Sequence, residues 1–388
     1  MKKILLIELK NTNIGDSIIA DTCEYLIKQA DSSADITRMN LFPPQQIMKK
    51  FKHYPFRGIR FMMSVMKRLK IDSTKYNCLR WQSFIKKSSD AYNYYHSHIK
   101  NADKVIIAGG GLIKYSKEDF WNAIYTISDF CEKENKPLHL NAVGIEGYDS
   151  QNYRCMLLSE SLSKENVSIS TRDDLETLKK YLKKPEKAIL VGDPALYTAE
   201  TYKISAVSSA ETIGIGVIRG KIYKDYGFDH TEQNIIKSYI NLIKLLEQKN
   251  YKWQMFCNGI EDDYILALKI LKALNLPCHS EYLAPRPSAP KELISIISQY
   301  KGVIAARLHA NIISTSLNIP SVGLIWNDKL KLFGKIIGCE KRFIDKEMFM
   351  DAKYVLTQLE EAIVDGYNHE NIQNLKNLTF LSLKNFID

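Results

Sequence analysis

The chain has 388 residues, 45% of them hydrophobic and 25% charged, which supplies two ordinary cores and excludes both a disordered polypeptide and a small cysteine-stapled fold. Lys and Arg number 54 against 44 Asp and Glu, a formal charge of +10. The excess is concentrated, because residues 36–71 hold Arg38, Lys49, Lys50, Lys52, Arg57, Arg60, Lys67, Arg68 and Lys70 and no acidic residue, so this stretch calls for an anionic neighbour.

Residues 4–9 read as a buried strand, 11–16 (Asn-Thr-Asn-Ile-Gly-Asp) as a polar turn, and Ile19, Cys23, Leu26 and Ile27 as one face of a helix. Strand, tight turn and helix open a doubly wound sheet. Glu8 interrupts the first apolar run before a signal core is complete, and no window approaches 18 uninterrupted apolar residues, so neither a signal peptide nor a membrane span is expected. The seven cysteines are odd in number and scattered without C-x-x-C, which suits free thiols in a cytoplasmic protein. No His/Cys cluster has ligand spacing, so no metal is expected.

The strand–helix unit recurs along the chain. Residues 104–112 form a strand running into Gly109, Gly110 and Gly111, with a helix over 121–132; 138–143 is a strand closed by Gly144 and Gly147. Residues 167–171 lead into Arg172-Asp173 and a helix to Leu182, and 189–191 into Gly192-Asp193-Pro194. After a looser 202–211 come a strand over 213–218 ending at Arg219, helix 233–248, strand 253–257, helices 262–274 and 289–299, strand 303–306 running into Arg307-Leu308-His309, strand 321–325 and helix 329–337. The pattern predicts an α/β fold of two Rossmann-like domains facing across a cleft: 1–205, with a basic, aromatic insertion near 42–95; 206–356; and a helical stretch over 357–388.

Open parallel sheets bind ligands beyond the carboxyl ends of their strands, so the residues there carry the chemistry. Gly109, Gly110 and Gly111 match neither G-x-G-x-x-G nor a P-loop; they suit close backbone approach to a phosphate or carboxylate near the next helix, or simply a tight turn. Arg307 and His309 lie two apart after a buried strand, where an Arg fork meets an anion and a His moves a proton; the alternative is an arginine tied to a carboxylate beside a core histidine. Arg172 offers a second fork beside Asp173, or a domain-interface ion pair. Asp16, with Asn13 and Gly15, is either an N-cap or a ligand contact, and Asp193 before Pro194 is a turn former. Arg219 ends its strand in the same way. Lys329, Lys331 and Lys335 are within reach of a phosphate, or are solvated helix charges.

Taken together, Asn13-x-Gly15-Asp16, Gly109-Gly-Gly111, Ser170-x-Arg172-Asp173, Asp193-Pro-Ala195 and Arg307-x-His309 before Ile319-Pro320 resemble the polysaccharide pyruvyl transferase family over about residues 11–338. The resemblance implies a GT-B-like protein that moves the enolpyruvyl unit of phosphoenolpyruvate onto a sugar of a cell-surface polysaccharide or its lipid-linked precursor, forming a ketal and releasing phosphate. It implies His309 as acid/base, and Arg307 and Arg172 around the donor. Asn13, Gly15, Asp16 and the three glycines, with Asp173, Arg219 and Lys329, are the expected substrate contacts. Phosphoenolpyruvate is then the donor substrate and no cofactor is required. The rival reading is a sugar-nucleotide-dependent glycosyltransferase of the same architecture, for which Glu340 is the one suggestive ribose partner. The basic segment, with Phe51, Phe56, Phe61, Met62 and Met63 interleaved, is expected either to rest on the inner, anionic face of a membrane or to line the acceptor groove. Pro43, Pro44 and Pro55 interrupt it and no nucleic-acid motif is present, so nucleic acid is not an expected partner.

Overall fold

Runs such as Lys-Ile-Leu-Leu-Ile-Glu are apolar on both faces, the signature of strands covered by helices on either side. The computed structural model bears this out; it describes residues 1–10, 13–53, 68, 74–115, 120–227 and 231–388. Two compact units result: 1–10, 26–191 and 380–388 form unit 1, and 11–25 with 192–379 form unit 2.

The first half of the chain is β1 (Lys3–Glu8), α1 (Ile14–Ala30), β2 (Asp35–Asn40), α2 (Gln45–His53), α3 (Thr74–Lys87), α4 (Ser89–Lys100), β3 (Lys104–Ile107), β4 (Gly110–Lys114), α5 (Phe120–Lys133), β5 (Leu138–Glu146), α6 (Tyr153–Leu162), β6 (Val167–Thr171), α7 (Leu175–Tyr181) and β7 (Ile189–Leu190). Its sheet has the order β2-β1-β3-β5-β6-β7, with β4 paired to β5, and every pairing is parallel. From β1 the chain steps outward to β2 and then to β3 on the other side, so the topological switch lies between the carboxyl ends of β1 and β3. Leu5, Ile7, Val105, Leu140 and Ile169 are buried in its core with Trp81, Tyr95 and Trp121 from the helices.

The triple glycine does not lead directly into a helix. Gly109 and Gly110, at φ of 115° and 100°, break one strand into β3 and β4 rather than entering a helix, and residues 111–119 lie between them and α5. Those backbone angles exclude a side chain, which is why glycine stands there.

The second half continues with α8 (Thr198–Tyr202), β8 (Thr212–Gly216), α9 (Lys221–Asp225), α10 (Glu232–Gln248), β9 (Lys252–Phe256), α11 (Glu261–Ala273), α12 (Pro290–Ile297), β10 (Tyr300–Ala305), α13 (Leu308–Ser316), β11 (Ser321–Leu324), α14 (Asp328–Ile336), β12 (Phe343–Ile344), α15 (Ala352–Asp365) and α16 (His369–Ile387). Its parallel sheet is ordered β12-β11-β10-β8-β9, which places a second switch point between β8 and β10. Ile213, Ile215, Met255, Ile304 and Val322 pack there against Tyr239, Leu242, Leu266 and Leu359. The end of α16 returns to unit 1, where Lys104 Nζ donates to the carbonyls of Phe386 and Ile387 at 2.7 and 2.8 Å and Lys2 Nζ to that of Ile387 at 2.7 Å. Cations on a helix's last carbonyls satisfy acceptors that have no intrahelical donor.

Candidate functional site

The carboxyl edge of unit 2 gathers several polar side chains at its switch point. Arg307 caps α13 with an extended backbone, and Asn311 fixes that turn by donating from Nδ2 to the carbonyls of Ala305 and Arg307, both at 3.1 Å. His309 follows in the first turn of α13 and is 6% exposed. The guanidinium of Arg307 donates from Nε and Nη2 to Asp263, at 2.8 and 2.9 Å. Asp263, on the first turn of α11 and 0% exposed, also accepts the main-chain N–H of Arg219 at 2.9 Å. One carboxylate thus orients a side chain after β10 and the backbone after β8, the two strands that flank the switch.

Trp326 donates from Nε1 to Ala306 O at 2.6 Å and meets Tyr226 edge-on at 4.9 Å, bracing the same turn from the end of β11. Cys257, after β9, is pushed up to about 11 by burial, so it stays a protonated thiol at neutral pH and offers no nucleophile. Burial likewise raises the Tyr223 phenol, although the Arg307 charge pulls the other way.

The Asn13–Asp16 turn belongs to this unit as well. Asn13 is the residue that precedes α1, and its Oδ1 accepts from Gly15 N at 3.4 Å; Asp16 sits in the first turn of the helix and accepts from Asn13 Nδ2 at 3.1 Å, rather than capping it. Gly15 lies close against His309: a Cβ there would fall well inside contact distance of His309 Nδ1 and Cγ, and 2.8 Å from its Cβ. The glycine is therefore needed for close approach, and it brings the first turn of α1 against the candidate acid/base. Tyr202 on α8 donates to Asp21, securing the same half of α1.

In unit 1, Asp173 is held by its own backbone surroundings, accepting from Ile145 N at 2.9 Å, Asp174 N at 2.7 Å and Thr171 Oγ1 at 3.1 Å. Its other oxygen presses on Gly144, whose added Cβ would lie 2.9 Å away and 3.3 Å from Gly111 Cα. Arg172 beside it is buried. The three glycines, Arg172 and Asp173 thus group at one edge of unit 1, while Asn13, Gly15, Asp16, Arg219, Arg307 and His309 group in unit 2. Asp193 accepts from Ala195 N at 2.8 Å as a turn former. Lys329 is half-buried at the start of α14, where Asn327 supplies the cap, and Glu340 is exposed. Among the described residues there is no cluster of metal-ligating side chains, and no helix is long and apolar enough to cross a membrane.

Of the basic segment, Arg57, Arg60, Lys67 and Lys70, with Phe56, Phe61, Met62 and Met63, lie outside the described residues. Arg38 pairs with the buried Glu8 at 3.6 Å and Lys50 with Asp90 at 2.5 Å, while Lys49 and Lys52 are exposed. Phe51 packs inward against Trp81 and Phe84, ring centroids 5.0 and 5.2 Å apart, under the Arg80 guanidinium.

Asp263 was not legible as a site residue, since Glu261-Asp262-Asp263 reads as the acidic first turn that any helix favours. A finer signal exists. Of the three, Asp263 alone shares a helical stripe with Leu266, Ala267 and Ile270, and a carboxylate on an apolar stripe demands a buried partner.

Two parallel sheets, each flanked by helices, define a GT-B-like protein. A family model described as polysaccharide pyruvyl transferase matches residues 13–328, and the chain belongs to that family. No curated protein matches the chain significantly. Among solved structures, the UDP-GlcNAc 2-epimerase of Neisseria meningitidis bound to UDP-GlcNAc is similar in fold (TM-score 0.58, 11% identity, 99% of each chain covered). So are the UDP-GlcNAc 2-epimerase of Methanocaldococcus jannaschii (0.55, 10%, 98% of this chain and 99% of that one) and a putative one from Listeria monocytogenes (0.55, 11%, 97% and 91%).

Proposed function

We propose that the protein is an enzyme of glycan assembly whose reacting groups meet at the β8–β10 switch of unit 2, with His309 as the proton-transfer group. The observation that carries this is His309 in the first turn of α13, beside an Arg307 whose guanidinium Asp263 holds in one orientation. A fixed guanidinium and an imidazole two residues apart provide anion neutralisation and proton transfer without reorganisation at the moment of reaction.

The family's description supports pyruvyl transfer as the finer reading. In that reaction, protonation of the terminal methylene of phosphoenolpyruvate makes its central carbon electrophilic, and an acceptor hydroxyl adds to it. A second hydroxyl displaces phosphate and closes the ketal; of the two hydroxyl protons, one replaces that delivered to the methylene and the other leaves with phosphate. His309 delivers and recovers the proton, and Arg307 faces the donor's charge. The acceptor is a sugar of a surface polysaccharide or its lipid-linked precursor.

A second reading, catalysis on a sugar nucleotide, is favoured by the structural neighbours, which include a UDP-GlcNAc complex, and on the structural comparisons alone it is the better supported. Arg307 fits it too, because a guanidinium already engaged on two nitrogens keeps one edge for a diphosphate. Phosphate release from phosphoenolpyruvate with sugar acceptors, run beside calorimetric titration with UDP-GlcNAc, decides between the two. Turnover that falls at least about 10²-fold in His309→Gln supports the assignment of His309; turnover within threefold of the parent overturns it.

A further inference from the structure

Asn258 is 1% exposed, and among the described residues neither its Oδ1 nor its Nδ2 has a hydrogen-bond partner. A buried carboxamide left wholly unpaired is uncommon and costs stability, so its retention asks for a ligand. Its place is telling. Asn258 lies past the carboxyl end of β9, in the turn to α11 that carries Asp263. The next residue, Gly259, has φ of 91°, and a Cβ on it would lie 2.8 Å from Ile14 Cγ1 and 3.1 Å from Pro287 O. The turn is thus seated on the first residue of α1, and the second residue of that helix, Gly15, is the one seated on His309. Asn258 thus directly precedes a residue seated on α1, the helix whose second residue is seated on His309.

We propose that Asn258 is a substrate-contacting residue that binds a sugar hydroxyl, or a vicinal pair of them, on the molecule His309 acts upon. A carboxamide both donates and accepts, as does a hydroxyl; a phosphate or carboxylate would leave the amide oxygen unmatched, whereas a polyol satisfies both atoms. The identity of the ligand as a sugar rests on the proposed function, but the claim that Asn258 serves binding at the expense of the fold does not.

The near-isosteric Asn258→Leu separates the two. If the carboxamide has no partner within the protein, the variant's urea midpoint is unchanged or higher. In the same variant, calorimetric affinity for UDP-GlcNAc, or for whichever sugar acceptor supports phosphate release in the parent, falls at least about tenfold, the worth of one hydrogen bond. Asn258→Asp, which keeps the shape but loses the donor, is expected to weaken binding too. A clear loss of stability in Asn258→Leu, or undiminished sugar affinity, overturns the proposal. Failure of the parent to bind any sugar ligand overturns the functional reading instead, and the stability measurement then still decides whether Asn258 is a strained binding residue or a structural one.

Discussion

Replacing Asp263 with leucine isolates what holds the candidate site together. The carboxylate is fully buried and accepts three hydrogen bonds, two from Arg307 and one from the N–H of Arg219. Removing one partner of a buried, hydrogen-bonded ion pair costs ~3–5 kcal/mol, because the survivor's charge is left uncompensated. The orphaned N–H adds roughly 1 kcal/mol. Asp263→Leu should therefore lose about 4–6 kcal/mol, a large part of the stability of an ordinary domain. Removing the second charge as well, in Asp263→Leu/Arg307→Met, should recover most of the loss and leave a deficit of about 1–2 kcal/mol, since apolar residues of similar volume replace buried pairs at little cost. Urea titration followed by circular dichroism gives the midpoints, and hydrogen exchange over 212–219 and 261–273 places the change in unit 2. A single variant that loses less than ~1 kcal/mol, or a double variant no more stable than the single, would refute the picture of one coupled pair.

Gly15→Ala should improve local helix propensity by ~1 kcal/mol yet destabilise by about 1–3 kcal/mol overall and depress activity, because its methyl group collides with His309; a net gain in midpoint would count against that contact. His139, whose Nδ1 lies 2.8 Å from Ser168 Oγ, is lowered to about 4 by burial. The unfolded chain therefore binds the proton first as pH falls: its contribution is complete above about 6.5 and is lost down to about 4, roughly 3 kcal/mol in all. A His139→Leu variant whose acid loss of stability matches the parent's would contradict this. Six of the seven cysteines are buried and Cys278 is exposed, so a thiol reagent should titrate one group rapidly in native buffer and seven in denaturant.

Where a strand is buried on both faces and closed by glycine or charge, the sequence reading and the structure coincide: the strand read over 167–171 is β6 from Val167 to Thr171. Edge and polar elements escaped that logic. β2, Asp-Ile-Thr-Arg-Met-Asn, is half-exposed at the sheet margin, and α3 and α4 present Lys, Asn and Ser between their few buried residues, so the basic segment masked them. The break at Gly109–Gly110 and the bulge in β5, with Ala142 at φ of 48°, are set by tertiary pairing that no local pattern announces. At the site, Arg307 and His309 were legible because they follow an apolar strand directly. Their supports, Asp263 and Gly15, are bound to them across the unit rather than along the chain.

The return of α16 sets an order on biosynthesis. Residues 380–388 belong to unit 1, where they cap their helix on Lys2 and Lys104 and stack Phe386 over His139 at 5.1 Å. A ribosome makes all of 192–379 before those residues, so the first Rossmann-like unit leaves the exit tunnel unfinished, with one side of β5 waiting for its cover. Each unit can begin to fold as it emerges, but the earlier one is completed last, and a nascent chain stalled anywhere in the second unit presents an incomplete first one to chaperones.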